Sequence, residues 1–158
     1  MIDKRRKLGK KINELSIGET YTTTNRIEDK DLLLYLGLTN DANPLYIQHD
    51  YASMTPYKQP IVPSVLLFGI VSSMITMHLP GSGSHIVKHE MSFPKAVYHE
   101  SEVTFTIEVI AIDRKDHLVS LSVIGFDSEG NKVLQGKLNV SPAYELESIN
   151  ARSLENFF

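Results

Sequence analysis

The chain has 158 residues, of which 42% are hydrophobic and 22% are charged. This length and composition are typical of one globular domain and exclude a largely disordered chain. With 16 Lys and Arg against 19 Asp and Glu, the formal net charge is −3, which argues against binding to nucleic acid. The chain has no cysteine and therefore has no disulfide, thiol nucleophile or cysteine-ligated metal.

Two segments of the sequence indicate where in the cell the protein is located. Residues 1–11 hold six Lys or Arg, and no apolar stretch follows them, so a solvated basic tail is predicted rather than a secretory signal. Residues 62–79 are the most apolar stretch, but only eleven of these 18 residues are apolar. Such a segment is too short and too polar for a membrane span and predicts a buried central helix at 62–77. We therefore expect a cytoplasmic protein without membrane contact.

Before that long helix, the sequence predicts a strand and two short helices. Residues 20–27 are rich in Thr, which favours a strand. Acidic residues at 29–31 precede an apolar run, which predicts a short helix that Gly37 ends. A polar loop follows at 39–44, and residues 49–54 predict one or two further helical turns.

After the long helix, the hydrophobic period changes from that of a helix to two, which predicts strands. The predicted strands are 85–93, 102–111, 118–126 and 132–140, with turns at 113–116 and 127–131. The side chains predicted to point inward are Val103, Phe105, Ile107, Val109, Ala111, Val119, Leu121, Val123, Leu134, Leu138 and Val140.

Short turns imply antiparallel neighbours, and a sheet with one apolar face needs a cover that only the long helix can provide. The predicted fold is α+β, an antiparallel sheet wrapped around one long central helix. We expect one domain over residues 1–158, with 1–11 as the tail and 142–158 as a C-terminal extension.

Polar side chains are densest between residues 35 and 52. A carboxylate at Asp41, an amide at Asn43 and a rigid Pro44 are followed by Tyr46 and His49. Asn, Asp and Pro are also the ordinary residues of turns, so the segment alone is equally typical of a simple loop. His85 and His89 lie four residues apart and are predicted to share a strand face, but two histidines are too few for a metal site.

Residues 35–52 resemble the signature of the MaoC-like family of (R)-specific enoyl-CoA hydratases and acyl dehydratases, which have the hot-dog fold. Residues 60–66 resemble the start of the long helix in that family, and residues 79–81 and 93–97 also fit its pattern, so the likeness covers about 12–141. The positions that match the signature are Tyr35, Thr39, Asp41, Asn43, Pro44, Leu45 and Ala52.

The resemblance implies a lyase that adds water reversibly to a trans-2-enoyl thioester and gives an (R)-3-hydroxyacyl thioester, in fatty-acid metabolism. It implies that Asp41 activates the water and that the N–H of Ser64 polarises the thioester carbonyl. It also implies a homodimer that acts on an acyl-CoA or acyl-carrier-protein thioester without a metal or other cofactor. Ser72 matches a serine that contacts the aspartate in the family, and Asn43 and His49 complete the predicted substrate-binding residues.

The sequence departs from the family pattern at several positions. The family histidine falls on Tyr46, and a phenol is a poor base at pH 7, although it can hydrogen-bond a water. Where the family has a glycine before the aspartate, this chain has Asn40. Where the family has a later Gly-Asp turn, this chain has Glu100 and Ser101. A non-catalytic thioester-binding protein and a hot-dog thioesterase are therefore the alternatives.

Overall fold

The computed structural model describes residues 7–145, which fold into five strands and four α-helices. These are β1 (Thr20–Arg26), α1 (Asp29–Thr39), α2 (Pro44–Ile47), α3 (His49–Ser53), α4 (Ser64–Met77), β2 (His85–Ser92), β3 (Glu102–Asp113), β4 (Leu118–Asp127) and β5 (Lys132–Ser141). Every strand predicted from the sequence is present, and the α+β class is confirmed.

The five strands form one antiparallel sheet in the order β1-β3-β4-β5-β2, so β1 and β2 are its edges. Ten of the eleven side chains predicted to point inward are buried, as the alternation required. Ala111 is the exception, because the β3–β4 register shifts between Val109 and Ala111. This bulge turns Ala111 outward and packs Ile112 against the core instead.

Helix α4 covers one face of the sheet, but it is buried along only one of its own sides. Leu67, Val71, Met74 and Ile75 enter the core, whereas Val65 is 63% exposed. The prediction that 62–77 is buried as a whole is therefore wrong for the single chain. The open side of α4 faces the cavities described below.

A second bulge changes the prediction for the two histidines of β2. The β2–β5 register shifts between Ile86 and Lys88, so the alternation of faces is interrupted between His85 and His89. The two histidines therefore do not share a face, and only His89 contacts α4, where its ring stacks on that of Phe68.

Helix α1 runs through Gly37, which was expected to end it, to Thr39, and Asn40 is its C-cap. Asn40 takes the left-handed conformation, with φ of 57°, and its N–H bonds to the carbonyl of Leu36. Glu100, with φ of 63°, is likewise left-handed. Both positions carry glycine in the family pattern, so this chain keeps a backbone shape that glycine adopts most easily.

Part of the predicted N-terminal tail is attached to the body. Gly9 and Lys10 donate backbone hydrogen bonds to the carbonyls of Ser82 and Pro80, at 2.9 and 2.8 Å. Lys11 forms an isolated bridge with Ala143, which is buried. The rest of the predicted extensions, residues 1–6 and 146–158, lies outside the described residues. Within residues 7–145, no helix has both the length and the apolar character of a membrane span.

Candidate functional site

Asp41 lies in the loop between α1 and α2, and hydrogen bonds fix its position. The hydroxyl of Tyr35 donates to Asp41 Oδ2 at 2.8 Å. The hydroxyl of Thr39 donates to the carbonyl of Tyr35 at 2.7 Å and accepts from the N–H of Asp41 at 3.2 Å. The carboxylate is thus held by the last turn of α1 from both its side chain and its backbone.

The pair of Tyr35 and Asp41 has a clear electrostatic consequence. The carboxylate raises the pKa of Tyr35 above its usual range, because ionised Tyr35 would lose the hydrogen bond to Asp41, and burial adds to the shift. Tyr35 therefore stays a donor at neutral pH. In the part of the chain that the structure describes, no group bonds Asp41 Oδ1, so that oxygen is available to a water molecule.

Helix α2 follows directly and positions Tyr46. Asn43 caps this helix, with its Oδ1 accepting from the N–H of Leu45 at 3.0 Å, and Pro44 occupies the first helical position. Tyr46 is half-buried and close enough to Tyr35 to contribute to the raised pKa of that residue. The carbonyl of Leu45 accepts from the N–H of Ile61 at 3.1 Å, which joins α2 to the segment before α4.

The N-terminus of α4 is open to a ligand. Ser64 is the first residue of the helix, Pro63 is its N-cap, and no side chain caps the free N–H groups. Among residues 7–145, no acceptor bonds the N–H of Ser64. A free N–H at the positive end of a 14-residue helix can donate to a developing negative charge.

Two cavities meet at Val65, which lines both of them. The first, the Ser64 cavity, has a volume of about 720 Å³ and is lined by Ser64, Val65, Phe68, His89, Glu90, Met91 and Phe93. The second, the α1–α4 groove, has a volume of about 500 Å³, and its lining includes Tyr35, Leu38, Val65, Leu66 and Gly69. Ser64, at the start of α4, and Tyr35, which bonds Asp41, therefore line two adjoining cavities.

The other predicted residues lie as follows. Ser72 is half-buried on α4, where its carbonyl accepts from the hydroxyl of Thr76, and its own hydroxyl has no hydrogen-bond partner among residues 7–145. No hydrogen bond joins Ser72 to Asp41 within the described residues, and the side-chain contact of Asp41 is with Tyr35 instead. His49 is exposed at the start of α3. The roles of Ser72, Asn43 and His49 in substrate binding stay predictions.

Sequence reasoning gave no role to Tyr35 and only a metal hypothesis to His89. Tyr35 matched an aromatic position of the signature, and its place six residues before Asp41 across a helix end was the signal for contact. His89 could not be placed, because its face depends on the bulge in β2. Within residues 7–145, no group of three or more His, Cys, Asp or Glu side chains could hold a metal ion.

Comparisons of the sequence with known proteins give clear matches. The family model described as MaoC like domain matches residues 12–124. The chain is 28% identical over 123 residues to an (R)-specific enoyl-CoA hydratase of Aeromonas caviae, covering 78% of this chain and 92% of that protein. It is 27% identical over 127 residues to the protein of the same name from Rhodospirillum rubrum, covering 80% and 88%.

Two solved structures of hydratases resemble the fold. The R-hydratase PhaJ1 of Pseudomonas aeruginosa superposes with a TM-score of 0.80 at 25% identity, over 87% of this chain and 88% of that one. The (R)-hydratase of A. caviae gives 0.77 at 27% identity, over 81% and 97%. These likenesses confirm the hot-dog fold predicted from the sequence.

Proposed function

Because the chain belongs to the MaoC-like domain family, we propose that it is a lyase that reversibly adds water to a trans-2-enoyl thioester. The product is an (R)-3-hydroxyacyl thioester. The observation that carries this proposal is a carboxylate held on one oxygen only, Asp41, by Tyr35, which lines the α1–α4 groove next to the cavity at the open helix N-terminus of Ser64.

The proposed reaction needs a base for the water and a donor for the carbonyl. Asp41 Oδ1 removes a proton from water as the water oxygen bonds to C3, because water itself is a poor nucleophile. The electron pair of the C2–C3 double bond moves towards the thioester carbonyl, whose oxygen becomes an enolate. The N–H of Ser64 donates to that oxygen. Addition of water is neither an oxidation nor a reduction of the substrate, so it needs no redox cofactor, and we propose that no cofactor takes part.

The α1–α4 groove is the proposed site of the acyl chain. Its lining is mainly apolar, and Gly69 leaves its wall open, since a Cβ at that position would meet no atom within 4 Å. Asn25 also lines it, and its Oδ1 is buried with no hydrogen-bond partner among the described residues. The hydrocarbon chain has no donor for this oxygen, so a water molecule or a polar group of the substrate would have to pair it.

Purified protein with crotonyl-CoA tests the function directly. Hydration removes the conjugated double bond, so the absorbance of the enoyl thioester should fall with time. Thioesters of several chain lengths should be compared in the same way. An inert protein that still binds these thioesters would be the non-catalytic alternative, and release of free CoA without loss of the double bond would indicate a thioesterase.

Tyr46 is proposed to orient the water that Asp41 activates. We expect Tyr46→Phe to lower kcat roughly tenfold, because it removes one hydrogen bond worth about 1 kcal/mol. Tyr46→His should raise kcat, since an imidazole can also accept a proton at neutral pH. Initial rates with crotonyl-CoA measure both variants. Unchanged rates in both would remove Tyr46 from the site.

We also propose a homodimer in which β2 of one copy faces β2 of another. Strand β2 is a sheet edge with a free row of backbone groups, and Val87 on it is half exposed, as is the apolar Val65 beside the Ser64 cavity. Light scattering should therefore give twice the mass of the chain. A monomer at micromolar concentration would contradict this arrangement. A cytoplasmic location stays a prediction from the sequence.

A further inference from the structure

His89 occupies a position that the proposed mechanism has not used. The bulge in β2 sets its ring towards α4, where it stacks on Phe68 with 4.3 Å between the ring centroids and 29° between the planes. His89 and Ser64 line the same cavity. An imidazole and an open helix N-terminus thus face one space of about 720 Å³.

The surroundings of His89 leave its ring nitrogens available. Within residues 7–145, no hydrogen bond or ion pair engages its side chain, and only the ring stacking holds it. The charged groups near it are Lys88 and Glu90, its neighbours on β2, whose side chains form an ion pair of 3.7 Å, and Lys137, which lies opposite Glu90 on β5. The residues of α4 that line this cavity are Ser64, Val65 and Phe68, none of which carries a charge.

Resting on the proposed function, we propose that His89 is the catalytic acid that protonates C2 of the substrate. The enolate formed by addition of water holds an electron pair that must take a proton at C2. A protonated imidazole at His89 gives that proton, which forms the C2–H bond and leaves the imidazole neutral. Asp41 holds the proton taken from the water, and exchange of protons with solvent restores both groups.

The arrangement of the cavities assigns C2 to His89 and C3 to Asp41. The thioester carbonyl must lie at the N–H of Ser64, and C2 is bonded directly to that carbonyl carbon. C2 therefore lies in the Ser64 cavity, which His89 lines. Asp41 is held by Tyr35, which lines the adjoining α1–α4 groove. Asp41 therefore acts at C3, the next carbon of the acyl chain.

This assignment accounts for the substitution of the motif histidine. A phenol is a poor acid at neutral pH, so a site with only Asp41 and Tyr46 has to return to C2 the proton that Asp41 took from the water. His89 supplies an imidazole from a different strand. The chain then retains both a base and an acid without a histidine next to the aspartate.

The test compares His89→Gln with His85→Gln, two histidines of the same strand. His85 lines neither of the two cavities and serves as the control. The initial rate with crotonyl-CoA is measured between pH 5.5 and 9 for each protein. In a second measurement the reaction runs in deuterated water, and the configuration of deuterium at C2 of the product is determined by NMR.

His89→Gln should lower kcat/KM by about 10²–10⁴-fold at pH 7, as expected for loss of a general acid. The pH dependence of the rate should differ between the unmodified protein and His89→Gln, because the variant lacks the proposed acid. Deuterium should enter one face of C2 in the unmodified protein and both faces in His89→Gln. His85→Gln should resemble the unmodified protein in every measurement.

The outcomes separate this inference from the proposed function. Full activity, an unchanged pH profile and one-sided labelling in His89→Gln would overturn the role of His89 and leave the hydratase standing. A protein without hydratase activity would overturn both. Equal melting temperatures of the two variants exclude unfolding as the cause of a lower rate.

Discussion

Asp41→Asn should lower kcat with crotonyl-CoA by about 10²–10⁴-fold and change KM little. The amide keeps the shape of the side chain and still accepts the hydrogen bond from Tyr35, which is 2.8 Å long to the carboxylate. It cannot remove a proton from water, so the chemical step loses its general base while the groups that bind the thioester stay in place. Steady-state kinetics at saturating and limiting substrate separate the two parameters.

Asp50→Asn is the matched control for this variant. Asp50 lies in the first turn of α3 and is exposed, nine residues after Asp41. We expect its kcat to stay within about twofold of the unmodified protein, as for a surface substitution. Hydratase activity that survives in full in Asp41→Asn would refute the assignment of the base, even though the fold is established.

The placement of Asp41 shows how far the sequence alone leads to the site. The motif identifies the carboxylate and the helix start, because both are encoded within short local segments. From the sequence, the partner of Asp41 received no role, although Tyr35 matched the signature, because the contact depends on how the left-handed end of α1 at Asn40 turns the chain back. Ser72, which the family pattern assigned to that contact, lies on another helix.

The fold was predictable wherever alternation was regular. Val103, Phe105, Ile107 and Val109 are all completely buried, as their spacing of two required. The prediction was wrong at Ala111, because one bulge inverts every face beyond it and no residue type marks that bulge in the sequence. The second bulge, in β2, decides the candidate catalytic role of His89 in the same way.

The cavities could not be predicted, since they arise between segments distant in sequence. The α1–α4 groove is lined by residues of β1, α1 and α4, and Gly69 is one of the α4 residues in its wall. A glycine inside a 14-residue helix costs about 1 kcal/mol relative to alanine. If the groove holds an acyl chain, the open space at Gly69 explains why a glycine is present despite its destabilising effect on the helix.

Gly69→Leu should therefore shorten the acyl chains that the protein accepts. The new side chain would enter open space without meeting the protein and would displace about four methylene groups of a long chain. At about 0.8 kcal/mol for each methylene, the loss is about 3 kcal/mol, or about a hundredfold in kcat/KM. We expect this loss with trans-2-decenoyl-CoA and a change of about threefold or less with crotonyl-CoA.

Gly37→Leu provides the control, because Gly37 also lies inside a helix and a Cβ there also meets nothing within 4 Å. Gly37 does not line the α1–α4 groove, so both substrates should react at nearly the unmodified rate. Both variants replace glycine in a helix and should be at least as stable as the unmodified protein, which a thermal melt checks. An equal loss for both substrates in Gly69→Leu would mean that the groove holds the pantetheine arm, which the two substrates share. No loss for either substrate would mean that the acyl chain lies elsewhere.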